Sequence, residues 1–418
     1  MGYTENLIDF IGKSTDCYHA VKTAKDRLDE NGFTELFEGD KWEVQSGGKY
    51  YVIRNSSSII AFEMPKKDFG AFMICASHTD SPSFKLKPDF EINADGCIKL
   101  SVEGYGGMIM SSWLDRPLSI SGRIVTAKDG KIETKLVNID RDLLVIPSLA
   151  IHMSRDINKG YEFNIRRDMC PIASEKNGRI EDIIAENVGV DKEEILGFDL
   201  SLYNRMRGTV LGADGEYFSA PRIDDLQCMY STLEGFLNSE SDDNVTVFAA
   251  FDNEEVGSGT KQGAKSSFLR DVLERICNNS ETYKRAVSKS FMLSCDNAHA
   301  VHPNFADKSD GTNRVYMNGG IVIKYNANQR YTTDAVSEAV VKYVCKNAGV
   351  PYQMYANRSD IPGGSTLGNL SNEKVSLNTA DIGLAQLAMH SSYETAGSRD
   401  TEYMVKMIKE FYKTEIVL

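Results

Sequence analysis

Four apolar stretches of this chain stop on residues that a buried strand does not readily hold. His78 follows "FGAFMICAS", Glu254 and Glu255 follow "NVTVFAAFDN", Asp296 follows "SFMLSC", and His390 follows "LAQLAM". An ionised carboxylate left near a core without a partner costs several kcal/mol, and two adjacent ones also repel each other. Either each turn points its side chains into water, or something positive sits among them. One such ending carries little weight; the recurrence at the ends of separate runs favours a shared site.

Helical patterns fall between these runs, at 224–238, 265–279 and 333–349. Alternating strands and helices predict an α/β fold with a mostly parallel sheet, buried on both faces. In such sheets ligands bind at the carboxyl ends of the strands, where every one of these residues falls. From about 89 to 210 the text changes to short alternating runs such as "GCIKLSVEG" and "LSISGRIVTAKDGKIETKLVNI", with Asp129-Gly130 as a hairpin signal. This predicts an antiparallel β domain (89–210) inserted into a catalytic domain formed by 1–88 and 211–418.

Composition narrows the function classes. A formal charge of −13 argues against nucleic acid and suits cation binding. No run approaches the ~20 apolar residues of a membrane span, and the start shows no leader pattern. Eight cysteines without a CxxC pair predict free thiols in a reducing cytoplasm. Only six histidines occur. His19 lies in an amphipathic pattern in which Tyr18, Val21, Ala24 and Leu28 share a face, which predicts a surface position for it.

Zinc takes imidazole nitrogen and carboxylate oxygen, and a catalytic site keeps one position open. Two zincs ~3.5–4 Å apart need a carboxylate between them. Asp224 in "PRIDD" suits that place, with Asp225 as its rival. Asp224, Asp296 and Glu255 give −3 against +4 from two ions, and Glu254 brings the sum to zero. A Glu beside a ligand, but not itself one, is placed to act as general base.

"SHTDSPSFKLKP", "APRIDDL", "DNEEVGS", "DNAHAVHPN" and "MHSSYE" resemble, in order, the five signature blocks of the aspartyl/vacuolar aminopeptidase family of dizinc exopeptidases. "VEGYGGMIMSSWLDRPLSISGRI" and "IPSLAIHMSRDINKG" resemble that family's inserted domain, so the likeness spans nearly the whole chain. It implies a metallo-aminopeptidase in which His78 and Asp296 hold one zinc, Glu255 and His390 the other, and Asp224 bridges; cobalt or manganese are the alternative metals. Glu254 becomes the general base. Asp80 is implied to hydrogen-bond the His78 imidazole and fix its tautomer.

Three residues are candidate substrate contacts, His299 and His152 through the resemblance and Lys324 through its charge. His299 is placed to polarise the scissile carbonyl, the plain alternative being a turn residue. His152 is implied to reach a neighbouring subunit's site within a homo-oligomer, up to a tetrahedral dodecamer; the alternative is a core histidine. Lys324 is the candidate for pairing with an Asp or Glu side chain at the peptide N-terminus, against an exposed strand-end lysine. "MHSSYE" differs from the "MHSIRE" form of acidic-specific eukaryotic members, which keeps a neutral or hydrophobic preference open. Outside aminopeptidases, the competing classes are a dizinc deacylase and a non-catalytic metal-binding relative.

Overall fold

The computed structural model describes residues 2–128, 130–175, 179–239, 241, 243–277, 279–361 and 363–416. Nine strands make the central sheet: β1 (Thr34–Glu35), β2 (Lys49–Arg54), β3 (Ser58–Glu63), β4 (Phe72–His78), β5 (Val245–Phe251), β6 (Phe291–Cys295), β7 (Ile321–Tyr325), β8 (Tyr352–Ala356) and β9 (Asn378–Gly383). Their spatial order is β1-β2-β3-β5-β4-β6-β9-β7-β8. The middle is parallel, β5 with β4, β4 with β6 and β6 with β9, whereas β2–β3, β3–β5 and β9–β7 are antiparallel.

The continuous apolar runs have a direct cause. Met73 and Cys75 of β4 face one core with Phe248 and Ala250 of β5, packed under the helices Tyr3–Lys13, Cys17–Glu30, Ile223–Leu237 and Asp400–Lys413. The alternate residues Phe72, Ile74 and Ala76 face a second core with Phe251, Phe268 and Leu273. Successive side chains point to opposite faces, so a strand covered on both sides must be apolar at every position.

A six-stranded antiparallel sheet is inserted between β4 and β5, its strands running from Ser83–Ala94 to Ile195–Asn204 around a separate core that includes Phe84, Trp113 and Ile124. Lys128 pairs with Lys131 across the expected hairpin, although Asp129 itself lies outside the described residues. His19 differs from expectation. Its helix, Cys17–Glu30, forms, but its ring is half-buried, with Nδ1 2.7 Å from Asp16 Oδ2, the residue that caps the helix through the N–H groups of Tyr18 and His19. The capping carboxylate draws in a side chain that periodicity alone leaves on the surface.

A third, five-stranded sheet has no counterpart in the sequence reading. It joins Thr209–Leu211, Tyr217–Ala220, Glu394–Gly397, Ala385–Leu387 and Ala298–His299 in that order. Ala220 pairs with Glu394, and His299 with Gln386. Three chain segments distant in sequence thereby meet at one edge of the central sheet.

Candidate active site

His78 is the last residue of β4 and sits level with Phe251, the last of β5. Beyond Phe251 the chain turns through Asn253, whose left-handed backbone (φ 64°) an asparagine tolerates better than most residues. A single tight turn, Glu254–Val256, then swings both glutamates back over the strand ends. Asp80 holds that turn: its Oδ1 accepts the Glu254 N–H at 3.1 Å, and its Oδ2 accepts the Glu255 N–H at 3.2 Å and the Tyr105 hydroxyl at 2.6 Å.

The His78 ring meets both the main chain and the carboxylate of Asp80. Nδ1 lies 3.0 Å from the Asp80 carbonyl oxygen, against 3.5 Å from the Asp80 carboxylate. A carbonyl oxygen only accepts, so Nδ1 carries a proton and Nε2 is the ring nitrogen left facing the carboxylates. The Asp80 carboxylate lies beside Nδ1 and also accepts from the two glutamate N–H groups and Tyr105. Nε2 of His78 faces Asp224 Oδ1 at 3.4 Å and Asp296 Oδ1 at 3.8 Å.

Asp224 and Asp225 follow a left-handed Arg222 and have non-helical backbones; the helix proper begins after them. Asp225 turns inward and its Oδ2 accepts the His78 N–H. Asp224 turns outward between two imidazoles, its Oδ2 lying 3.5 Å from His390 Nε2. His390 Nε2 also faces Glu255 Oε1 at 3.4 Å. His390 has a left-handed backbone (φ 66°), pinned by its N–H to Glu394 Oε1 at 2.7 Å and by its carbonyl, which accepts the Ile109 N–H at 3.0 Å. The approach at the β6–β9 edge is close: a Cβ on Gly383 would stand 1.9 Å from the Asp296 carbonyl oxygen.

Three groups of ligand atoms result among the described residues: His78 with Asp224, Asp225 and Asp296; His78 with Glu254 and Glu255; and Asp224 with Glu255 and His390. Asp224 belongs to the first and the third. The donor set fits divalent metal. Asp224 Oδ1 and Glu255 Oε1 are buried and no group among the described residues donates a hydrogen bond to them, a costly arrangement unless a cation is received there. Donors at 3.4–3.8 Å from one another are also near the ~3.3 Å edge of a tetrahedron of zinc ligands. Burial and the carboxylates of Asp296, Asp80 and Asp224 push Glu254 up to about 8, against the pull of His78. Burial would also raise Asp224, but the facing His390 and His78 imidazoles hold it well below the usual carboxylate range.

A cavity of about 130 Å³ opens on this cluster, lined by Glu254, His299, Lys324, Tyr331, Tyr355 and Met389 among others. Lys324 is buried, not exposed: its Nζ donates to the Asn297 carbonyl at 2.8 Å and lies 3.3 Å from Asp296 Oδ2. Burial works against its charge, but Asp296, Tyr331 and Asp381 outweigh it and keep the ammonium protonated. His299 is held below the ordinary histidine range by its crowded surroundings and by the Lys324 cation. His152 is exposed on the inserted domain, between exposed Ile151 and Met153, and does not line this cavity; it is not a core histidine.

Sequence reasoning overlooked Tyr105 and Glu394, which hold the turns that carry the candidate ligands. The signal for both lies inside "VEGYGGM" and "MHSSYE", where neither residue stands at the end of an apolar run.

Imidazoles and unpartnered carboxylates gathered at the carboxyl edge of an α/β sheet define a metalloenzyme. Residues 10–412 match the model of the aminopeptidase I zinc metalloproteases, M18, and the chain belongs to that family. A probable M18 family aminopeptidase 2 of Clostridium acetobutylicum is 45% identical, over 98% of each chain. The cryo-EM structure of a complex of Ape4 and Nbr1 superposes with a TM-score of 0.95 at 35% identity, covering 98% of this chain and 85% of that one. The S. cerevisiae mApe1 dodecamer gives a TM-score of 0.85 at 29% identity, over 98% and 96%. The chain is a metallo-aminopeptidase of α/β fold with an inserted antiparallel sheet.

Proposed function

We propose that this aminopeptidase works with two zinc ions and removes acidic residues, Asp or Glu, from peptide N-termini. His78 and Asp296 hold one ion, Glu255 and His390 the other, with Asp224 between them; cobalt or manganese suit the same donors. The observation that carries this reading is Asp224, whose two oxygens face two different imidazoles while one of them accepts no hydrogen bond. Bound there, the ions would polarise the scissile carbonyl and acidify the attacking water.

The chain's own groups do the rest. Glu254 takes the proton of the attacking water on a carboxylate oxygen and passes it to the leaving amine nitrogen. His299, neutral because its pKa is lowered, donates an N–H to the carbonyl oxygen of the substrate. Lys324 uses two of its donors on Asn297 and Asp296 and has a third for a substrate carboxylate in the same cavity. The exposed His152, on a loop with exposed Leu149, Ile151 and Met153, suits contact with a second copy, consistent with the dodecamer of the yeast relative. Eight free cysteines support a cytoplasmic setting.

Neutral specificity is the second reading. It is favoured by the engagement of Lys324 with Asp296 and by the apolar Tyr331, Tyr355 and Met389 in the cavity. A panel of aminoacyl chromogenic substrates on zinc-loaded protein separates the two: acidic preference gives the highest kcat/KM on Asp or Glu, and a higher value on Leu overturns it.

A further inference from the structure

Glu394 is a buried carboxylate, 1% exposed, that no lysine or arginine pairs with among the described residues. Its partners are all N–H donors. Oε2 accepts the main-chain N–H of Asp224 at 3.0 Å; Oε1 accepts that of His390 at 2.7 Å and the Gln386 amide at 3.3 Å. A charged acceptor makes such bonds roughly twice as strong as neutral ones, which offsets the cost of burial.

The contacts continue inward. Gln386 Oε1 accepts from Asn297 Nδ2 at 2.7 Å, and the same nitrogen donates to Gln227 Oε1 at 2.9 Å. Gln227 Nε2 donates in turn to Thr401 Oγ1 at 3.1 Å on the C-terminal helix. Asn297 spends both amide hydrogens on acceptors, which fixes the Gln386 oxygen toward it and the Gln386 nitrogen toward Glu394. Gln227, Asn297 and Gln386 are each at most 3% exposed. Asn297 directly follows Asp296, and its carbonyl accepts from Lys324.

These bonds join three chain segments whose side chains form the candidate metal cluster. We propose that Glu394, backed by Gln386, Asn297 and Gln227, is a positioning residue that sets the distance between the two ion sites by clamping Asp224 and His390 to the segment that carries Asp296. The inference rests on the two-ion reading above. Glu394 touches neither ion nor substrate; it acts through the backbones of Asp224 and His390. His390 sits in a left-handed conformation that is strained for a residue with a Cβ, so it is the segment most ready to relax once released.

The test is Glu394→Gln. An amide has one acceptor oxygen, so one of the two N–H groups loses its partner and meets an NH₂ instead. Zinc stoichiometry by elemental analysis and stepwise affinities by competition with a chromogenic chelator are measured for wild type, Glu394→Gln and His390→Ala. The expected result is one ion bound as in wild type and the other weakened about 10–100-fold, the affected ion being the one absent from His390→Ala. Gln386→Met, which cuts the link behind Glu394, should weaken the same ion in the same direction, and it carries the test if Glu394→Gln does not fold. A residue needed only for folding would lower the unfolding midpoint without selecting between ions. Two unchanged affinities, or equal losses at both, overturn the proposal while leaving the two-ion reading intact. A wild-type chain that binds fewer than two ions overturns both.

Discussion

Asp80 Oδ1 accepts the main-chain N–H of Glu254 at 3.1 Å, so the residue two beyond the first candidate ligand fixes the start of the turn that carries the proposed general base. The carboxylate spans two successive N–H groups and the Tyr105 hydroxyl. Asp80→Asn keeps the volume but replaces one acceptor oxygen with an NH₂ that faces a donor. We expect kcat to fall about 10–100-fold, as for groups that orient metal ligands. KM should change less, and the substitution misses its mark if kcat stays at the wild-type value while only stability drops.

Metal content tests the shared role of Asp224. The protein should hold up to two divalent ions per chain and lose activity to chelators. Asp224→Ala should deplete both ions, because its oxygens face His78 and His390 separately, whereas His390→Ala should empty one. Elemental analysis decides; full activity in chelator with no bound metal would sink the assignment.

Glu254→Gln separates base from ligand. The amide is isosteric, and Glu254's turn is held through its main chain by Asp80, so fold and metal content should persist. Turnover should fall at least ~10²-fold. A variant with wild-type turnover would move the proton-transfer role to another group.

Lys324→Met tests acidic specificity. A charged hydrogen bond of roughly 1.5–3 kcal/mol should be lost with Asp- and Glu-substrates, lowering their kcat/KM about 10–100-fold. Leu- and Ala-substrates should be nearly unaffected. Because Lys324 also lies 3.3 Å from Asp296 Oδ2, zinc content is measured alongside. Equal losses on acidic and neutral substrates would make the lysine a partner of Asp296 only.

Oligomer dependence can be read from His152. It is exposed and does not line the cavity of its own chain, so His152→Ala should leave metal content and assembly unchanged. If it completes a neighbour's site, kcat/KM falls in the assembled protein. Sedimentation beside kinetics checks this, and unaltered kinetics in an intact assembly would remove His152 from the substrate contacts.

The sequence by itself determined the strands β4, β5 and β6 and the residues at their ends. The reason is local: a strand covered on both faces must be apolar throughout, so the point where His78, Glu254 or Asp296 interrupts the run is visible without a structure. The inserted antiparallel sheet was legible for the same kind of reason, a period of two in place of an unbroken run. Only the tertiary structure decided how His390 reaches the cluster. Its segment leaves β9, joins the small sheet beside Ala298–His299 and Tyr217–Ala220, and is pinned by Glu394 and Ile109. Pairings between segments so distant in sequence leave no periodic trace in either one. The buried state of Lys324, the exposure of His152 and the bonds from the glutamate N–H groups to Asp80 were likewise set by neighbours distant in sequence. A polar side chain's partner is chosen by packing, and packing is a property of the folded chain.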